Sequence, residues 1–237
     1  SDTDLQAAAA EPVKPYPSAA AGWFLVVMLT VGYIFSFVDR YILGLLIEPI
    51  KAEFDLSDRS IGWLLSAFTL VYGFMGIFMG WLVDRGKRLW IVSIGVALWS
   101  VATVATGMAK NFVQLFTARM GVGIGEAGFT PPVVSMIADR FAPEKRATVF
   151  SLIAVGVSVG GAVGALGGGW IAQNHGWRMA FLVMGAPGLL LALLLWLTIK
   201  EPVRTSAGDT APAFGAVLRR VGKSRAFVTF TFGSGIV

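Results

Sequence analysis

Residues 112–137 read FVQLFTARMGVGIGEAGFTPPVVSMI, an apolar and small-residue run broken by Gln114, a few hydroxyls and two charges, Arg119 and Glu126. About 20 residues of helix cross the hydrocarbon core of a bilayer, so this run is long enough to span one. An ionised side chain near the bilayer centre costs about 2.5–3.5 kcal/mol on insertion scales, and such groups mark polar pathways. The same conflict recurs in residues 23–47, WFLVVMLTVGYIFSFVDRYILGLLI, which carry Asp39 and Arg40. Two acids and two bases inside two spans point to transport.

The remaining composition agrees with this reading. Of 237 residues, 56% are hydrophobic and only 14% charged, with a mean hydropathy of +0.73; a water-soluble domain of this size needs more polar surface. Apolar runs near 22–46, 60–82, 89–108, 112–137, 147–172 and 178–199 predict an all-α membrane protein with a six-helix transmembrane bundle over 22–199. Residues 1–21 read as a disordered cytoplasmic tail, and 200–225 as a cytoplasmic linker whose segment Phe214 to Arg225 has the pattern of an interfacial helix. A further apolar run, 226–237, reads as the start of a seventh helix, so the chain is expected to be half of a larger bundle.

Cysteine is absent and His175 is the single histidine, so no metal site and no cofactor is expected. The net charge of +5 lies in the loops, which argues against a nucleic-acid partner. With the N-terminus cytoplasmic, the inside segments hold thirteen Lys and Arg and the outside segments four (Lys51, Arg59, Lys110 and Arg178). The positive-inside rule favours that orientation. Gly123, Gly125 and Gly128 spell G-x-G-x-x-G, but nucleotide binding needs a preceding strand, and here the glycines lie within an apolar helix. Gly156, Gly160, Gly164 and Gly168 recur every fourth residue, a stripe that lets another helix approach closely.

The junction of the second and third runs, GWLVDRGKR over 80–88, resembles the signature loop of the major facilitator superfamily, with one residue fewer between Arg85 and Gly86 than that pattern has. DRFAPEKR (139–146) and the KEP end at 200–202 are similar to the same superfamily. FVDRY in the first run and RMGVGIGEAGFTPP in the fourth resemble its spinster branch. The resemblance implies the N-terminal half of a twelve-helix fold, completed by a C-terminal six-helix half around a central cavity. It also implies Asp84, Arg85 and Arg140 as gate residues.

Arg119 and Glu126 are seven residues apart, on one helix face but about 10 Å apart along the axis. Arg119 is therefore free to meet another helix, and Asp39 is the natural partner, because the superfamily packs helices 1 and 4 together. Asp39 and Glu126 are the expected proton-coupling groups. They would compete for Arg119, which with Arg40, Tyr33 and Phe37 would bind substrate. Arg40 points about 100° away from Asp39 and answers to a different partner. Pro131 and Pro132 are expected to kink the helix one to two turns beyond Glu126.

These readings predict a proton-coupled secondary transporter, working by alternating access, in a bacterial inner membrane. The resemblance implies an amphipathic anionic lipid as cargo, a lysophospholipid or sphingoid phosphate. A carrier of another organic anion or drug is the nearest alternative, and a lipid-binding membrane receptor that does not transport is the alternative of a different class.

Overall fold

The computed structural model describes residues 19–199 together with Glu201, Phe214, Gly215 and Arg219. Helices α1 (Ala19–Leu45), α3 (Asp58–Arg85), α4 (Arg88–Met108), α7 (Pro143–Val163) and α9 (Trp177–Thr198) form the long apolar rods. Short helix α2 (Ile47–Phe54) lies between α1 and α3, in a connection that reads from sequence as an outside segment without a helix of its own. The predicted fourth span is two helices, α5 (Phe112–Ala127) and α6 (Thr130–Arg140). Helix α7 runs through a π segment (Gly164–Gly168) into α8 (Gly169–His175). Among the described residues five helical stretches are long and apolar enough to cross a membrane, and α5 with α6 supplies the sixth predicted run.

The helix ends follow local chemistry. Ser57 caps α3 by accepting from Ser60 N–H at 3.2 Å, and Asn111 caps α5 by accepting from Gln114 N–H at 2.9 Å. The chain turns between α8 and α9 at Gly176, whose φ of 82° suits glycine. His175 ends α8, exposed, with its ring 6.0 Å from Trp170, rather than lying in a loop.

The break between α5 and α6 falls at Gly128–Phe129, closer to Glu126 than the sequence predicts. Proline acts backwards: Pro131 and Pro132 have no N–H for the carbonyls of Ala127 and Gly128, and their rings crowd those carbonyls. The backbone there tightens instead, with Gly128 N–H donating to Gly125 O at 3.1 Å and Phe129 N–H to Glu126 O at 3.0 Å.

Glycines set how closely α7 approaches α1. A Cβ placed on Gly160 would lie 2.5 Å from the Ile34 carbonyl oxygen, on Gly156 2.9 Å from that of Thr30, and on Gly164 3.0 Å from that of Val38. Helices α4 and α9 also pack along their length, as do α4 and α5. Two apolar clusters result. One gathers Leu25, Leu89, Ile137 and Leu195 towards the end that holds the α3–α4 and α6–α7 turns; the other gathers Ile42, Ile50, Leu115 and Phe181 towards the opposite end.

The predicted tail and almost all of the linker and seventh run lie outside the described residues. Phe214, Gly215 and Arg219 are helical, and the Phe214 ring meets Phe78 at 5.8 Å and Trp81 at 5.6 Å.

Candidate functional site: two buried ion pairs between the first and fourth spans

Asp39 and Arg40 are neighbours on α1 and leave it in different directions, and each finds its own partner on α5. Asp39, 3% exposed, accepts from Arg119 Nη1 at 2.6 Å through Oδ2 and from Thr103 Oγ1 at 2.6 Å through Oδ1. Arg40 donates to Glu126 Oε2 twice, from Nε at 2.9 Å and from Nη2 at 2.6 Å. Arg119 and Glu126 are themselves 1% and 2% exposed. Seven residues of helix separate them by about 10 Å, so they engage successive residues of α1 rather than each other.

The sequence reading gave Arg119 to Asp39, and the two are paired. It set Glu126 in competition for the same arginine, but here Glu126 is held by Arg40, the residue whose partner the sequence left open. The reason is rotational. Long side chains bridge from α1 to α5, so that two consecutive α1 residues meet two positions on one α5 face, a pairing which neither helix alone specifies.

Aromatic rings complete the shell. The Arg40 guanidinium carbon lies 4.9 Å from the Tyr72 ring centre, 5.3 Å from Phe37 and 5.4 Å from Phe68, and that of Arg119 lies 5.4 Å from Phe68. Cation–π contacts of this kind are worth about 0.5–2 kcal/mol, more when desolvated. Phe68 and Tyr72, one turn apart on α3, are thus as close to the charges as the predicted Phe37. Tyr33 stands further along α1; its hydroxyl donates to Thr130 Oγ1 at 3.4 Å and its ring meets Phe129 edge-on at 5.2 Å, placing it against the helix break.

Two polar atoms in this shell, Arg119 Nε and Glu126 Oε1, have no hydrogen-bond partner among the described residues. Buried polar atoms are normally satisfied, so each is a place where another group can bind at low cost. Arg40 keeps about a third of its side chain exposed, the most accessible of the four charges. The arrangement can therefore exchange a proton or an anion for one of its own pairings. Among the described residues no group of three or more His, Cys, Asp or Glu side chains is arranged to hold a metal.

The residues proposed as a gate sit at the other functional end, around the α3–α4 turn. Asp84 and Arg85 are exposed, with the Arg85 guanidinium 4.5 Å from the Trp81 ring, and Arg140 ends α6. A buried network lies beneath them and joins three segments, GWLVDRGKR, DRFAPEKR and the KEP end, whose contact the sequence does not show. Arg88, 1% exposed, binds Asp139 through Nη1, Ser135 Oγ at 3.0 Å and Glu201 Oε1 at 3.1 Å. Glu201 also accepts the backbone N–H groups of Arg88 (3.1 Å) and Leu89 (2.8 Å), so its carboxylate caps α4. The signal available in sequence was the KEP end itself, an acid one residue before a proline at the close of an apolar run.

Comparison with known proteins agrees with this architecture. The family model described as Major Facilitator Superfamily matches residues 29–237. An MFS-type efflux pump of Mycolicibacterium smegmatis is 36% identical over 178 residues, covering 75% of this chain and 42% of the pump. Protein spinster of Drosophila melanogaster is 29% identical over 216 residues, 89% of this chain and 36% of spinster. A bacterial homolog of the human lysosomal transporter Spinster, solved inward-facing and unoccupied, superimposes with a TM-score of 0.74 at 33% identity, covering 91% of this chain and 52% of that one. The chain thus spans less than half the length of these two curated relatives. On its sequence and its helical architecture, the chain belongs to the Major Facilitator Superfamily, with spinster proteins among its relatives.

Proposed function

We propose that this chain forms one half of a proton-coupled secondary transporter for an amphipathic anion, and that the Asp39–Arg119 pair is its switch. The observation that carries this reading is the placing of two ion pairs, with three of the four side chains buried, from two apolar spans in one aromatic-lined shell. Protonating Asp39 removes the countercharge of Arg119. A buried charge stripped of its partner costs about 3–5 kcal/mol, and an anionic headgroup can supply the missing charge. Glu126 plays the same part for the more accessible Arg40, with Phe37, Phe68, Tyr72 and Tyr33 as the apolar wall. Rocking of this half against the C-terminal half would then expose the site to either side. Asp84, Arg85 and Arg140 act as the gate, and the Lys and Arg asymmetry sets the N-terminus on the cytoplasmic side of a bacterial inner membrane.

Similarity to spinster proteins favours a lysophospholipid or sphingoid phosphate as cargo. Similarity to an efflux pump favours the second reading, another organic anion or drug. The test is uptake by the full-length protein in proteoliposomes under an imposed pH gradient, with lysophospholipid, sphingoid phosphate and a soluble dicarboxylate offered separately. The proposal expects gradient-dependent flux that Asp39→Asn and Arg119→Ala abolish. Flux indifferent to the gradient refutes the coupling, and binding without counterflow makes the protein a receptor.

A further inference from the structure

We propose that a small cavity behind Asp39, enclosed by α1, α4 and α9, takes a single water molecule, and that Ser100 is a positioning residue holding this water as the acceptor for the Asp39 proton. The cavity has a volume of about 10 Å³, close to the least that admits one water. It lies on the α4 side of the carboxylate, whereas Arg119 approaches from α5.

Three observations make it a polar site rather than a packing defect. Ser100 is 1% exposed and lines the cavity, yet its Oγ has no hydrogen-bond partner among the described residues. Helical hydroxyls often bond the carbonyl four residues back, as Thr106 does to Ala102 O at 2.9 Å on the same helix; the Ser100 hydroxyl makes no such bond. Thr103 lies three residues on, on the same face, and already donates to Asp39 Oδ1. On α9, glycines stand opposite both hydroxyls: a Cβ on Gly188 would lie 2.1 Å from Ser100 Oγ, and one on Gly185 2.9 Å from Thr103 Cγ2. Any larger residue at 188 would fill the space that Ser100 faces.

The chemistry explains why a water belongs there. Ionised Asp39 only accepts hydrogen bonds, and Arg119 and Thr103 supply donors. Once protonated on Oδ2, Asp39 carries an O–H that needs an acceptor; the arginine beside that oxygen has none to offer, and the Thr103 hydroxyl faces Oδ1. A water fixed by Ser100 donates to the carboxylate in one state and accepts from the acid in the other. The charged side chains around Asp39 are Arg119 from α5, the adjoining Arg40 on α1 and its partner Glu126. From α4 the cavity receives Trp99, Ser100 and Thr103, and from α9 only Met184 and the two glycines.

This inference rests on the proton-coupling reading, and one experiment separates their failures. Infrared difference spectra of the full-length transporter, recorded on acidification, should contain a carboxylic acid C=O band that Asp39→Asn removes. Ser100→Ala should move that band to higher frequency and should displace the pH profile of transport. In the Asp39→Asn background, Ser100→Ala should restore neither the band nor the gradient-dependent flux. An unmoved band together with an unmoved pH profile in Ser100→Ala, with the band still lost in Asp39→Asn, overturns the water site and leaves Asp39 as the protonated group. A band and pH dependence that survive Asp39→Asn overturn the coupling reading and this inference with it.

Discussion

Asp39→Asn, Arg119→Gln and their combination form a double-mutant cycle that tests whether the deeper ion pair is the stronger one. The two charges are buried to 1–3% exposure and touch at 2.6 Å. With charge centres about 4 Å apart and an effective dielectric near 20, their attraction is about 4 kcal/mol. The Arg40–Glu126 pair has the same contact distance, but the Arg40 side chain is 32% exposed. Solvent screening at that group should roughly halve the attraction, to about 2 kcal/mol. Each single substitution in the inner pair should destabilise by about 3–5 kcal/mol, since it strands a buried charge, and the double variant should recover most of the loss. The assay is equilibrium unfolding of the full-length protein in mixed detergent micelles, with both cycles run at neutral pH. A coupling for Asp39–Arg119 that is equal to or smaller than that for Arg40–Glu126 would refute the assignment of the inner pair as the dominant electrostatic element.

Three further outcomes follow from particular contacts. Arg88→Ala should destabilise by about 3 kcal/mol or more, because it removes a buried cation bound to both Asp139 and Glu201; thermal unfolding in detergent would show it, and a change below about 1 kcal/mol would count against a structural network. Gly160→Ala drives a methyl group to 2.5 Å from the Ile34 carbonyl, so α1 and α7 must separate, at a cost of about 1–3 kcal/mol; a cysteine cross-link between the two helices should form more slowly. Outside the spans, hydrogen bonds from Arg178 and then Trp177 hold the Glu53 carboxyl below the usual carboxylate range. A depressed folded pKa gives stability that is present above the unfolded value and lost as pH falls through the folded one. Wild type should therefore exceed Glu53→Gln by no more than about 1 kcal/mol at neutral pH, as suits an exposed pair, and the gap in Tm should close as pH falls below about 4.

Much of the architecture was legible because it is local. Apolar runs of bilayer length marked the long helices to within a few residues, and the glycine stripe announced a close helix contact whose partner turned out to be α1. The double proline predicted an interruption of the fourth span but misplaced it, since its effect falls on the carbonyls four residues earlier. Helix α2 escaped notice because eight residues carry too little periodicity to stand out from a loop. Arg88 stands in the GWLVDRGKR motif and among the inside cations, but its burial is not legible there, because it depends on Asp139 from α6 and Glu201 beyond α9, residues 51 and 113 positions away.

From sequence alone it follows that the four charges need partners, because the hydrocarbon of a bilayer does not solvate an ionised group. It also follows that Asp39 and Arg40 diverge, because a helix turns 100° per residue. Which charge answers which was decided by tertiary structure. The rotation of α1 against α5 is set jointly by glycine contacts with α7 on one side and the aromatic residues of α3 on the other, and it is this rotation that gives Asp39 to Arg119 and Thr103, and Glu126 to Arg40.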